Sequence, residues 1–145
     1  MERDIYHGRL KLNGEEHEKT LRAASNYAMG LSSLQRYAEA KSLQRKIIPV
    51  ARRVLGESNE LTLKMRLNYA EALINAGGCA LDDLREGVTT LEQTARTARQ
   101  VLGIAHPMTS SSVKALRDAR ARLSAREGAV ASIREAMAAM KAGDA

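Results

Sequence analysis

The sequence predicts an all-α protein assembled from repeated helix–turn–helix units, and three observations predict it. The first is internal self-similarity. Moving Leu12 to Leu31 forward by 42 residues lays Gly14 on Gly56, Thr20-Leu21 on Thr62-Leu63, and Asn26-Tyr27-Ala28 on Asn68-Tyr69-Ala70. A further shift of 47 lays Val54-Leu55-Gly56 on Val101-Leu102-Gly103. A fixed period of about 20–50 residues is the signature of stacked supersecondary units. The second observation is spacing: between the glycines, apolar residues recur every three or four positions, the period of a helix with one buried face. The third is composition. With no Trp, no Phe and four Tyr among 145 residues, the core must be aliphatic, and two prolines leave long stretches free to coil into helix.

Each unit reads as helix, turn, helix, turn, with a glycine at the seam supplying the left-handed residue that ends a helix. Residues 1–14 read as the end of a preceding helix, with a partial stripe of Ile5, Tyr6 and Leu10 closed by Gly14. The first unit spans 15–56. Its first helix is expected from about His17 to Leu34, with Leu21, Ala24, Ala28, Leu31 and Leu34 inward. Gln35-Arg36 forms the turn, and the second helix runs from about Ala38 to Leu55. Pro49 inside that helix removes a backbone donor and clashes with the preceding turn, so a kink is expected near Arg45 to Pro49.

The second unit spans 57–103. Leu63, Leu67, Ala70, Leu73 and Ile74 form its first face, and Gly77-Gly78 break that helix. The five extra residues of the longer period fall between about Gly78 and Asp82, before a helix from about Leu84 to Leu102. The third unit spans 104–142. It opens at His106-Pro107, and Gly128 reads as a stop after which the chain turns back. Val130, Ile133, Met137 and Met140 would then pack on Val113, Leu116 and Leu123 and cap the array, which predicts a monomer. In the alternative, the helix runs on through Gly128. Leu116, Leu123, Val130 and Met137 then recur every seven residues, as in a seam with a second chain.

Charge and motifs narrow the function. The net charge of +6 is concentrated at the two ends, with 11 basic against 6 acidic residues in 1–56 and 7 against 4 in 104–145. A basic balance suits an acidic partner or nucleic acid. Single-strand binders, however, use aromatic stacking platforms that this chain lacks, so nucleic acid is disfavoured. Catalysis finds no support: His7, His17 and His106 are scattered, no nucleophile motif or phosphate loop occurs, and the adjacent Asp82-Asp83 point apart on a helix. The lone Cys79 provides neither a disulfide nor a thiolate metal cluster, and no metal or cofactor is expected. No apolar run reaches the length of a membrane span and no signal peptide opens the chain, which points to a cytoplasmic location.

The repeated residues resemble the kinesin-light-chain type of tetratricopeptide repeat, whose unit reads roughly L-G-x-x-H-P-x-T-L-x-x-x-N-N-L-A-x-x-L and then E-A-x-x-L. The matches are His17, Thr20-Leu21, Asn26-Tyr27-Ala28, Leu31, Glu39-Ala40 and Leu43 in the first unit. In the second they are Thr62-Leu63, Asn68-Tyr69-Ala70, Leu73 and Glu86, and in the third Gly103, His106-Pro107 and Thr109. The first asparagine of the family's pair is replaced by Ser25, Leu67 and Lys114, and the third unit also has Ala115 for the second. The resemblance covers residues 12 to about 123. It implies an α-α superhelix that binds a peptide or protein partner along a concave groove, with groove asparagines reading the peptide backbone. Asn26 and Asn68 are the positions it carries over. Arg22 and Lys64 stand four residues before them on the same helical faces, and Lys114 and Arg122 would extend a basic strip for an acidic peptide. The expected function is therefore a non-catalytic interaction scaffold. A basic nucleic-acid-binding module and a structural oligomerisation piece are the alternatives.

Overall fold

The computed structural model describes residues 1–77 and 79–143, and these form helices joined by short turns. The helices are α1 (Glu2–Asn13), α2 (Glu18–Ser33), α3 (Tyr37–Val54), α4 (Glu60–Asn75), α5 (Leu81–Leu102) and α6 (Pro107–Gly143). No strand occurs among the described residues. Each helix packs on the next in sequence, and α4 also touches α2 and α6. The even-numbered helices α2, α4 and α6 thus share one side. On the other side α3 and α5 are linked by Lys41–Asp83 at 3.6 Å and Arg45–Glu86 at 3.4 Å.

The turns explain why the chain folds back where it does. Gly14, Gly56 and Gly103 stand at φ of 79°, 91° and 87°, a region that side chains with a Cβ rarely adopt. After each glycine, the next helix starts on the same device. Nδ1 of His17 accepts the Lys19 N–H at 3.1 Å, Oδ1 of Asn59 accepts the Leu61 N–H at 2.9 Å, and Nδ1 of His106 accepts the Met108 N–H at 3.1 Å. Each satisfies one of the amide groups that a helix N-terminus leaves without a partner. Two of these three capping side chains are histidines. The turn at Gln35-Arg36 places Gln35 at φ 60°.

Packing is aliphatic, as the composition requires. Leu21, Ala23, Ala24, Ile47, Ala51 and Met65 bury against Tyr6 of α1, and Leu67, Ala70, Ile74, Leu84, Val88 and Leu91 bury against Ala119 of α6. A methyl group on Gly87 would stand 3.0 Å from Cγ1 of Ile74, so the absence of a side chain lets α5 approach α4 this closely. Ala28 and Ala70, 42 residues apart, are both fully buried. Ala28→Leu or Ala70→Leu is expected to overpack these contacts and lower stability by about 1–3 kcal/mol. Thermal melting checks this, and an unchanged midpoint for both variants would refute the packing register.

Four details depart from the sequence reading. α5 begins at Leu81, which places Asp82 and Asp83 in its first turn, where the helix dipole favours acidic groups. α4 ends at Asn75, before Gly77, and the break expected at Gly78 lies outside the described residues. α3 runs unbroken through Pro49, which is exposed.

The largest departure is at Gly128. The helix does not stop there, and α6 is a single element of 37 residues. Gly128 lacks the positive φ of the three turn glycines, and no capping residue follows it in Ala129-Val130-Ala131. One glycine costs a helix only about 1 kcal/mol, and alanines flank it. The expected cap is therefore not formed. Ile133, Met137 and Met140 are 59%, 56% and 72% exposed, and the interval 104–142 holds one helix rather than a pair. Beyond Glu127, which pairs with Arg85 at 3.3 Å, α6 continues for roughly 24 Å at 1.5 Å per residue.

Candidate functional site

The helical period places one residue stripe along each even-numbered helix. On α2 it is Arg22, Asn26, Met29 and Ser33, and on α4 it is Lys64, Asn68, Glu71 and Asn75, each 42 positions further on. On α6 the stripe is Ser111, Lys114, Asp118 and Arg122. Two clefts lie between these helices. One, of about 220 Å³, separates α2 from α4 and is lined by Met29, Ser33, Asn68, Glu71 and Asn75, among others. The other, of about 320 Å³, separates α4 from α6 and is lined by Glu71, Asn75, Lys114, Asp118 and Arg122, among others. Glu71 and Asn75 belong to both, so the clefts adjoin along α4.

Of the expected binding residues, Asn68, Lys114 and Arg122 lie on these clefts. Asn68 is half-buried, and its Nδ2 is shielded from solvent yet has no hydrogen-bond acceptor in the protein. A buried amide donor without a partner is costly, so this atom is poised for an acceptor on a ligand. Lys114 is exposed at the α6 edge. Arg122 already has a structural task. Its Nη1 donates to the Ile74 carbonyl at 3.2 Å and to Oδ1 of Asn75 at 3.4 Å, closing the C-terminal end of α4. Arg126 donates to the Cys79 carbonyl at 3.0 Å just beyond it.

The other three expected residues are not among those lining the two clefts. Asn26 is exposed on α2, Arg22 pairs with Glu18 at 3.0 Å, and Lys64 is half-buried on the N-terminal half of α4. The sequence reading missed Met29, Glu71, Asn75 and Asp118. The signal for them was present, because they continue the Asn26 and Asn68 stripes at helical spacing and recur under the same shifts of 42 and 47. They change the electrostatics from a basic strip to a face carrying both signs.

Glu71 is the one cleft group with a perturbed acidity. Desolvation in the angle between helices holds its carboxyl above the ordinary carboxylate range, and it forms no ion pair among the described residues. The folded chain therefore keeps this proton to a higher pH than the unfolded chain does. Between the ordinary value and the raised one, the folded state binds the extra proton, so stability falls as pH rises through that window. Glu71→Gln is expected to flatten this slope and to raise the melting temperature slightly at neutral pH. Melting curves from about pH 4 to pH 7 check it, and an unchanged slope would contradict it.

Tyr69 lies on another face of α4. Its hydroxyl donates to Glu86 and accepts from Nε of Arg45 at 2.8 Å, tying α3, α4 and α5 together. No group of His, Cys, Asp and Glu side chains suited to a metal ion occurs among the described residues. No described helix is long and apolar enough to cross a membrane. No protein-family model and no curated protein matches this chain.

Proposed function

We propose that the chain is a non-catalytic interaction module of the tetratricopeptide type. In this reading its helix pairs stack into a short superhelix, and a peptide segment of a partner protein lies across α4. The observation that carries the reading is the unpartnered Nδ2 of Asn68 in the cleft between α2 and α4, which adjoins the cleft between α4 and α6 at Glu71 and Asn75. An asparagine offers both a donor and an acceptor, so Asn68 and Asn75 can pair with the backbone amides of an extended peptide whatever its side chains. Lys114 and Arg122 stand near Glu71 and Asp118, and this alternation suits a peptide carrying both signs of charge better than a uniformly acidic one.

Selection from a displayed library of random peptides against the intact chain tests the proposal. Enriched peptides are expected to lose at least tenfold in affinity for Asn68→Ala/Lys114→Glu while circular dichroism stays native. Failure to enrich any sequence, or equal affinity for this variant and the parent, would overturn it.

A further inference from the structure

We infer that the cleft between α5 and α6, which no described helix covers, is a second docking site, built for an acidic amphipathic helix. In the preceding pairs the first helix is covered by the helix that follows it: α3 packs on α2, and α5 packs on α4. Leu31 packs in one cluster with Ala40 of α3, and Ala70 in one with Leu84, Val88 and Leu91 of α5. Ala28 and Leu31 on α2 and Ala70 and Leu73 on α4 are all buried. The next shift of 47 lays Arg117 and Arg120 of α6 on Ala70 and Leu73. Among the described residues no helix covers them, because α6 runs straight through Gly128. What remains is a cleft of about 600 Å³ between α5 and α6.

The chemistry of this cleft differs from that of the clefts beside α4. Its floor is apolar, from Ala95, Val113 and Leu116. Its walls carry Arg96 and Arg99 from α5 and Arg117 and Arg120 from α6. Arg120 meets Glu92 at 3.1 Å, and the other three form no ion pair among the described residues. The chain's own continuation is a poor complement to these walls. Residues 124–143 carry three basic side chains (Arg126, Arg134, Lys141) against two acidic ones (Glu127, Glu135). An incoming helix with an apolar stripe and flanking carboxylates would cover the floor as α3 and α5 cover theirs. It would also give the arginines the paired carboxylate geometry that guanidinium groups favour. The apolar floor argues for a protein helix over a nucleic-acid backbone, which needs charge but no apolar contact.

The test uses the intact chain and four labelled probes. The first is a synthetic amphipathic helical peptide with leucines at three- and four-residue spacing flanked by glutamates. The others are its sequence-scrambled isomer, the same peptide with lysine for glutamate, and a short DNA duplex. The first probe is expected to bind, to weaken as salt is raised, and to lose at least tenfold in affinity on Arg96→Glu/Arg99→Glu. Asn68→Ala/Lys114→Glu, which alters the clefts beside α4, is expected to leave its affinity unchanged. That contrast separates a failure of this inference from a failure of the proposed function. All four arginines are exposed, so the variants are expected to fold, and circular dichroism checks this. No binding of the first probe, equal binding of the scrambled peptide or the duplex, or indifference to the arginine substitutions would each overturn the inference.

Discussion

Leu91→Ala is expected to lower the stability of the chain by about 2–5 kcal/mol, the range for removing most of a fully buried leucine. Leu91 is completely buried in α5, in the cluster where Leu67, Ala70 and Ile74 of α4 meet Ala119 of α6. Three helices converge on one side chain, and none can close the cavity without moving against the other two. A domain of this size is held by about 5–15 kcal/mol in all, so the loss takes a large share of the total. The melting midpoint should fall on the order of 10 °C. A fall of less than 2 °C, on the same scale, would show that α5 does not hold α4 and α6 together in this way.

Gln44→Leu is expected to act in the opposite direction. Gln44 lies 47 residues before Leu91, at the same place in its own unit, and it too is completely buried. Neither its Oε1 nor its Nε2 has a hydrogen-bond partner in the protein. A buried polar group left unpaired costs about 1–3 kcal/mol, and leucine, similar in volume, removes that penalty. Stability should rise by about that amount, read as a higher denaturant midpoint with an unchanged slope. A lower midpoint would mean that the glutamine amide is satisfied in solution and that the two positions are not equivalent.

Much of the fold could be read from the sequence because the repeated signals are local. A glycine that must adopt positive φ, a polar residue that caps the next helix and an aliphatic stripe every three or four positions act within a few residues of themselves. That is why the bounds of α2 and α3 lie within a residue or two of expectation. Gly128 was misread because a glycine signals a stop only when the chain around it offers a turn, and Ala129-Val130-Ala131 does not. The candidate site was half legible. Asn68 and Lys114 were found from the repeat, whereas Glu71 and Asn75 are cleft residues because of where α2 and α6 cross α4, a tertiary fact. Arg122 shows the reverse case: its charge was visible, but its hydrogen bond to the end of α4, 48 residues back, was not.

The central claim is that the face shared by α2, α4 and α6 receives a peptide, and nuclear magnetic resonance tests it most directly. Titrating a library-selected peptide into the labelled chain should shift the side-chain amide signals of Asn68 and Asn75 and the backbone signal of Lys114. Signals from the exposed residues of α3, such as Arg52 and Arg53, should stay in place. Silent asparagine side chains, with the largest shifts on α3 or α1 instead, would contradict it.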